Sequence, residues 1–136
     1  VRTHLSSELG FSKEHRSINV RRIGYVASEI TKNCGIAICA PIAPYHADRR
    51  ANRELINKFG GYIEIFVNTP LEKCEARDVK GLYAKARKGT IKDFTGISDP
   101  YEQPEHSEIV INSSGTAPEK LVDQIYAKIR KLGYIY

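Results

Sequence analysis

Residues 35–45, GIAICAPIAPY, decide the fold class. From Ile36 to Ala40 the run is continuously apolar and too short for a helix, the pattern of a strand covered on both faces, as interior parallel strands are. Gly35 stands before it as a helix stop. Toward the N-terminus, Val20, Ile23, Val26, Ala27 and Ile30 fall at helical spacing between Ser12 and Cys34, so a long helix with one buried stripe leads into the strand. Toward the C-terminus, residues 47–58 read as an exposed helix and Tyr62 to Val67 as a second strand. Thr69-Pro70-Leu71-Glu72 then predicts a capping box opening a short helix to about Arg77. Glu108 to Asn112 is a third strand, and Thr116-Ala117-Pro118-Glu119 repeats the capping pattern. The final helix carries Leu121, Val122, Ile125, Ile129 and Leu132 on one face. Strands alternating with helices predict an α/β fold with a parallel sheet.

The chain has 136 residues, 41% of them hydrophobic and 27% charged, which suits one domain with a core of its own. A net charge of +5 favours anionic partners, a condition that nucleotides, nucleic acids and acidic membrane surfaces all meet. No apolar run approaches the roughly 18 residues of a membrane span, and no signal-peptide pattern is present. Cys34, Cys39 and Cys74 show no metal-site spacing and are odd in number, so they read as buried free thiols of a reducing, cytoplasmic compartment. His4, His15, His46 and His106 are not paired at ligand spacing, and no serine stands in a nucleophile elbow. The chain contains no Met and starts at Val1-Arg2 without a leading strand, so it is expected to be part of a longer polypeptide.

In open parallel sheets ligands collect beyond the carboxyl ends of the strands, here after Ala40, Val67 and Asn112. The segment from about 77 to 105 reads as a substrate lid. Arg77, Lys80, Lys85, Arg87, Lys88 and Lys92 outnumber Asp78 and Asp93, and Phe94 stands beside Thr95 and Gly96. Cations face phosphate or sulfate oxygens and an aromatic ring stacks on a base, so the mixture suits a phosphorylated nucleotide. A solvated charge run is the plainer alternative. Upstream, Arg2, Arg16, Asn19, Arg21 and Arg22 surround Phe11 in sequence. Phe11 is either a second aromatic wall facing Phe94 or a hydrophobic staple ahead of a helix cap at Ser12.

LGFSKEHRSINVRRIG, APIAPYHADRR and EIFVNTPLEKCEARDVKGLYAKARKGTIKDFTGISDPYEQPE together resemble adenylylsulfate kinase, from Val1 to the last helix. The resemblance implies a P-loop kinase-like three-layer fold with a parallel sheet, its first strand and P-loop lying outside this chain. It further implies a single kinase domain over 1–136, incomplete at its N-terminus, and ATP-dependent phosphorylation of adenosine 5′-phosphosulfate at the 3′-hydroxyl, with Mg²⁺. PIAPY and the terminal GYIY are similar to the kinase domain of bifunctional sulfate adenylyltransferase/adenylylsulfate kinases. A homodimer, with or without a fused sulfate adenylyltransferase domain, and neither nucleic acid nor membrane as partner, follows from the same resemblance.

Carried over by motif, the substrate-binding residues are Arg2, matching the arginine that closes DGDxxR, the clamp walls Phe11 and Phe94, Arg16, Asn19, Ile42, Ala43 and Lys80. Lys80 of KGLY is also the catalytic residue, matching the lysine near the transferred phosphoryl group. Arg77 and Thr116 match positions near the ATP adenine. Ala43 stands where many relatives carry serine. The GxxGxGKST loop, which cradles the β and γ phosphates and holds Mg²⁺, has no counterpart, nor has the DGD segment with its aspartate base. The magnesium ligands and the base are therefore expected in a preceding segment, and these residues alone are expected to be inactive. A catalytically inactive kinase-like module that binds the sulfonucleotide is the alternative. A basic nucleic-acid-binding domain is a third reading, against which the chain shows no aromatic strand motif of the kind such domains use.

Overall fold

The computed structural model describes residues 2–135. In chain order its elements are α1 (Arg2–Leu5), α2 (Lys13–Lys32), α3 (His46–Ile56), β1 (Ile65–Val67), α4 (Leu71–Arg77), α5 (Leu82–Arg87), β2 (Ile109–Ile111) and α6 (Pro118–Lys131). They divide between two compact units. The first is the chain up to Tyr62 with Lys92–Gln103, and the second is Ile63–Ile91 with the chain from Pro104 onward.

In the first unit α2 begins where the sequence indicates. The Ser12 hydroxyl accepts the His15 N–H at 3.2 Å and satisfies one of the four donors a helix start leaves open. α2 buries Val20, Gly24, Ala27 and Ser28, while Ile30 of the expected stripe is exposed. α3, expected to be exposed, buries Asp48, Arg49, Asn52 and Ile56 against it. Those polar groups tolerate burial because they are paired. Asn52 Nδ2 donates to the Val20 carbonyl at 3.1 Å, and Arg21 Nε donates to Asp48 Oδ1 at 2.9 Å. The two helices approach so closely at Gly24 that a Cβ there would lie 2.0 Å from Asn52 Oδ1.

α2 ends differently from expectation. Cys34, not a glycine, takes the left-handed conformation (φ 60°). Its N–H donates to Thr31 O at 2.9 Å and that of Gly35 to Ile30 O at 2.9 Å, the paired bonds of a Schellman turn. Gly35 is required one position later, where a Cβ would meet Ile30 Cγ2 at 2.7 Å.

The second unit holds the sheet. β1 and β2 pair in parallel, Ile65 opposite Ile109 and Val67 opposite Ile111. α6 covers them, with Leu121 buried against Ile109 and Ile111 and with Ile63, Ile125 and Ile129 packed around this core. Val122 and Leu132, expected on the same face, are exposed. Both strands are shorter than the sequence suggests because only three positions on each meet a partner.

Three further expectations are corrected. Residues 36–40 form no strand: Ile36 is 80% and Ile38 95% exposed, and among the described residues the sheet consists of β1 and β2 alone. A strand exists only through a partner, and an apolar run encodes the demand for one without supplying it. Neither capping box forms. Pro70 and Ala117 occupy the cap positions without side-chain bonds, and the Thr69 hydroxyl pairs with Ser113 Oγ at 2.7 Å across the two strand ends. The cysteines are unbridged but not buried: Cys34 and Cys39 are exposed and Cys74 is half-buried.

Candidate functional site

In the first unit the site grows from α2. Its exit loop and lid-derived segment are drawn together around one carboxylate. Arg16, one turn inside α2, donates from Nη1 to Thr95 Oγ1 at 2.6 Å and pairs through Nη2 with Asp99 Oδ2 at 2.9 Å. Both charged side chains are only 13% exposed, so the pair works at reduced dielectric. Tyr45, 3% exposed, donates its phenol proton to the same Asp99 oxygen at 2.8 Å. Burial, then the bond to Asp99, pushes the Tyr45 phenol up to about 12. Lys13 and Arg16 lie over the Tyr45 ring at 5.0 and 5.6 Å from its centroid.

Asp99 in turn belongs to a closed turn that starts at Phe94. The Phe94 carbonyl accepts the N–H groups of Ile97, Ser98 and Asp99, while Ser98 Oγ accepts the Phe94 N–H at 2.9 Å. Phe94 is thus fixed at the head of a turn whose far end is held by Arg16 and Tyr45. Asn19 lies three residues beyond Arg16 on the same helix. Its Oδ1 and the Nε and Nη2 of Arg16 are buried with no hydrogen-bond partner among the described residues.

A second set of bonds holds the loop that carries Ile42 and Ala43. Arg49, 7% exposed, donates to the Ala43 carbonyl at 2.7 Å and to the Glu102 carbonyl at 2.7 Å. The Glu102 carboxylate accepts the His46 N–H at the start of α3 at 2.5 Å, and the Glu102 N–H donates to Pro44 O at 2.8 Å. His46 Nδ1 lies 3.0 Å from Arg49 Nη2 and must accept there, because a guanidinium only donates. Ala43 itself is held at φ 45°, a conformation an alanine takes only under constraint. Ile42 is exposed beside it.

At the chain start Arg2 donates to Leu9 O at 3.0 Å and Gly10 O at 2.9 Å, and its guanidinium lies 4.5 Å from the Phe11 ring centroid. Phe11 is 72% exposed, and the residue four beyond the Ser12 cap is the charged Arg16, so Phe11 presents a ring to solvent and forms no staple.

The second unit carries the remaining candidates. Arg77 donates to Ser113 Oγ at 3.0 Å and Ser113 O at 2.7 Å, which places it on the loop that follows β2 and leads to Thr116. Lys80 is exposed in the turn between α4 and α5. Asp78 accepts the N–H groups of Tyr83 and Ala84 at 3.0 Å each, and these bonds, the Ala84 one foremost, hold its carboxyl below the usual value. Arg87 closes the other side on Glu75 at 2.6 Å. Among the described residues no three His, Cys, Asp or Glu side chains come together as a metal site. Sequence reasoning missed Tyr45, Arg49, Asp99 and Glu102. Their partners lie about 50 residues away in the chain, beyond the reach of any local pattern.

The parallel strands with helices between them are those of a P-loop kinase fold. Over 95% of the chain the backbone superposes on the APS kinase of Mycobacterium tuberculosis, solved with AMPPNP and APS, at a TM-score of 0.89 and 33% identity, covering 75% of that chain. Residues 1–112 match the family model for adenylylsulphate kinase, and the chain belongs to that family. It is 49% identical over 135 residues to the adenylyl-sulfate kinase of Synechococcus sp., covering 99% of this chain and 75% of the relative. It is 48% identical over 134 residues to the sulfate adenylyltransferase of Aspergillus oryzae, of which it spans 23%. Among the described residues no helix is long and apolar enough to cross a membrane.

Proposed function

We propose that this chain supplies the acceptor side of a kinase that transfers the γ-phosphoryl group of ATP to the 3′-hydroxyl of adenosine 5′-phosphosulfate. The observation that carries the reading is the Arg16 clamp. It holds Phe94, the aromatic wall, at the head of a fixed turn, and beside it Nε and Nη2 of Arg16 and the Asn19 amide oxygen have no hydrogen-bond partner among the described residues. A guanidinium donor suits a sulfate or phosphate oxygen, and a ring suits adenine. Arg2, Phe11, Ile42 and Ala43 complete the acceptor side in this proposal. Lys80 neutralises charge on the transferred group, and Arg77 and Thr116 receive the ATP adenine. The segment from about 77 to 105 acts as a lid that excludes water. The proposed form is a cytoplasmic homodimer, alone or joined to a sulfate adenylyltransferase domain.

The test is to incubate the intact polypeptide with ATP, Mg²⁺ and adenosine 5′-phosphosulfate and to separate the nucleotides by chromatography. Formation of 3′-phosphoadenosine 5′-phosphosulfate is expected. Binding of adenosine 5′-phosphosulfate without transfer would establish the inactive sulfonucleotide-binding module in its place, and neither binding nor transfer would overturn both readings.

A further inference from the structure

One carboxylate oxygen serves two elements of the first unit. Asp99 Oδ2 receives the Tyr45 phenol at 2.8 Å and the Arg16 guanidinium at 2.9 Å. Tyr45 lies directly before α3, Arg16 on α2 and Asp99 at the end of the Phe94 turn. Neither Tyr45 nor Asp99 is needed to hold the two helices together. That packing is made elsewhere, by Asn52 on Val20, Arg21 on Asp48 and the close contact at Gly24. Two nearly buried polar side chains converge on one guanidinium and on the turn that carries the half-buried Phe94.

We propose that Tyr45 and Asp99 are positioning residues for the acceptor nucleotide, acting through Arg16 and Phe94. The inference rests on the acceptor site proposed above. An arginine has five N–H donors in a rigid plane, so fixing two of its edges fixes the direction of the rest. Thr95 Oγ1 accepts from Nη1 at 2.6 Å and the Asp99 carboxylate pairs with Nη2 as an ion pair at 2.9 Å, which fixes the guanidinium plane while Nε and Nη2 keep no hydrogen-bond partner among the described residues. Asp99 alone could rotate about its side-chain bonds. The Tyr45 phenol, on a ring with little rotamer freedom, stops that rotation. Through its backbone N–H on the Phe94 carbonyl, 3.1 Å, Asp99 also holds the aromatic wall in register with the guanidinium. Loss of either side chain leaves the fold standing and the two ligand contacts out of alignment.

The experiment uses the intact polypeptide with Tyr45→Phe, Asp99→Asn and the double variant. KM for adenosine 5′-phosphosulfate and KM for ATP are measured separately, alongside thermal melting. Losing one hydrogen bond to a charged group is expected to raise the acceptor KM about tenfold for Tyr45→Phe, and by about ten- to a hundredfold for Asp99→Asn. KM for ATP is expected to stay within about twofold. The double variant is expected to match Asp99→Asn, because Tyr45 has no carboxylate left to hold. A parallel rise in both KM values, an unchanged acceptor KM in folded variants, or effects that multiply in the double variant would each overturn the proposal. Should Asp99→Asn fail to fold, Tyr45→Phe, which deletes a single oxygen, decides alone. The unsubstituted protein separates the two questions. If it neither binds the acceptor nor forms product, the site assignment falls and the positioning role with it. If it binds without transfer, the same comparison is made on Kd for adenosine 5′-phosphosulfate.

Discussion

Replacing Gly24 by alanine puts a methyl carbon 2.0 Å from Asn52 Oδ1, 2.2 Å from its Cγ and 2.6 Å from its Nδ2. The amide has to move. It is 9% exposed and donates to the Val20 carbonyl at 3.1 Å, so moving it breaks that bond inside the α2–α3 contact. A lost hydrogen bond costs about 1 kcal/mol, and an orphaned buried partner about 1–3 kcal/mol more. Forcing an extra methyl into a packed contact adds about 1–3 kcal/mol. Against this stands the helical preference of alanine over glycine, about 1 kcal/mol. The cost wins, with a net destabilisation of about 3 kcal/mol. For a chain of this size that lowers Tm by roughly 10 °C. Asn52→Ala removes all three clashing atoms, so the double variant Gly24→Ala/Asn52→Ala is expected to melt above Gly24→Ala alone, a reversal of ordinary additivity. Urea and thermal unfolding followed by far-ultraviolet circular dichroism measure all four proteins. A Gly24→Ala protein as stable as the parent, or a double variant less stable than Gly24→Ala, would refute the close-contact argument.

Three other outcomes are expected. Ser12→Ala, which deletes the oxygen that accepts the His15 N–H at 3.2 Å, is expected to cost about 1 kcal/mol in the same unfolding assay. Tyr45 ionises near 12, above the usual 10.0, so absorbance titration at alkaline pH is expected to show a late phenolate that Tyr45→Phe abolishes. Because the folded state keeps this proton longer than the unfolded chain does, the contribution of Tyr45 to stability is full below about pH 10. It is lost as pH rises toward 12, and flat stability across that window in the parent protein would contradict the assignment. Asp78 has the opposite sign. Its carboxyl is held below 3.8, so its hold on the N–H groups of Tyr83 and Ala84 persists above that value and is lost only as pH falls further. The amide resonance of Ala84 is expected to titrate with a midpoint under 3.8, and a midpoint above it would contradict the bonding described.

The sequence by itself determined the long helix from Ser12, the parallel character of the sheet, the last helix and the residues that carry the family resemblance. These features are written locally: a cap and its acceptor lie three residues apart, and an apolar stripe repeats every turn. Only the tertiary structure decided which expectations were realised. The apolar run 36–40 asks for a partner strand and finds none among the described residues, so periodicity alone misjudged it. Thr69 has the chemistry of a cap, but Ser113 across the strand ends competes for its hydroxyl and wins. α3 looks polar enough to be exposed until Asp48, Arg49 and Asn52 each find a partner that makes burial tolerable. The same holds for the site. Phe11, Arg16 and Phe94 were legible as an aromatic and cationic set, whereas the carboxylate that orders Arg16 and Phe94 was not. Asp99 is an ordinary acidic loop residue until folding brings Arg16 and Tyr45 to it from 83 and 54 positions away in the chain, and no local pattern encodes a contact at that separation.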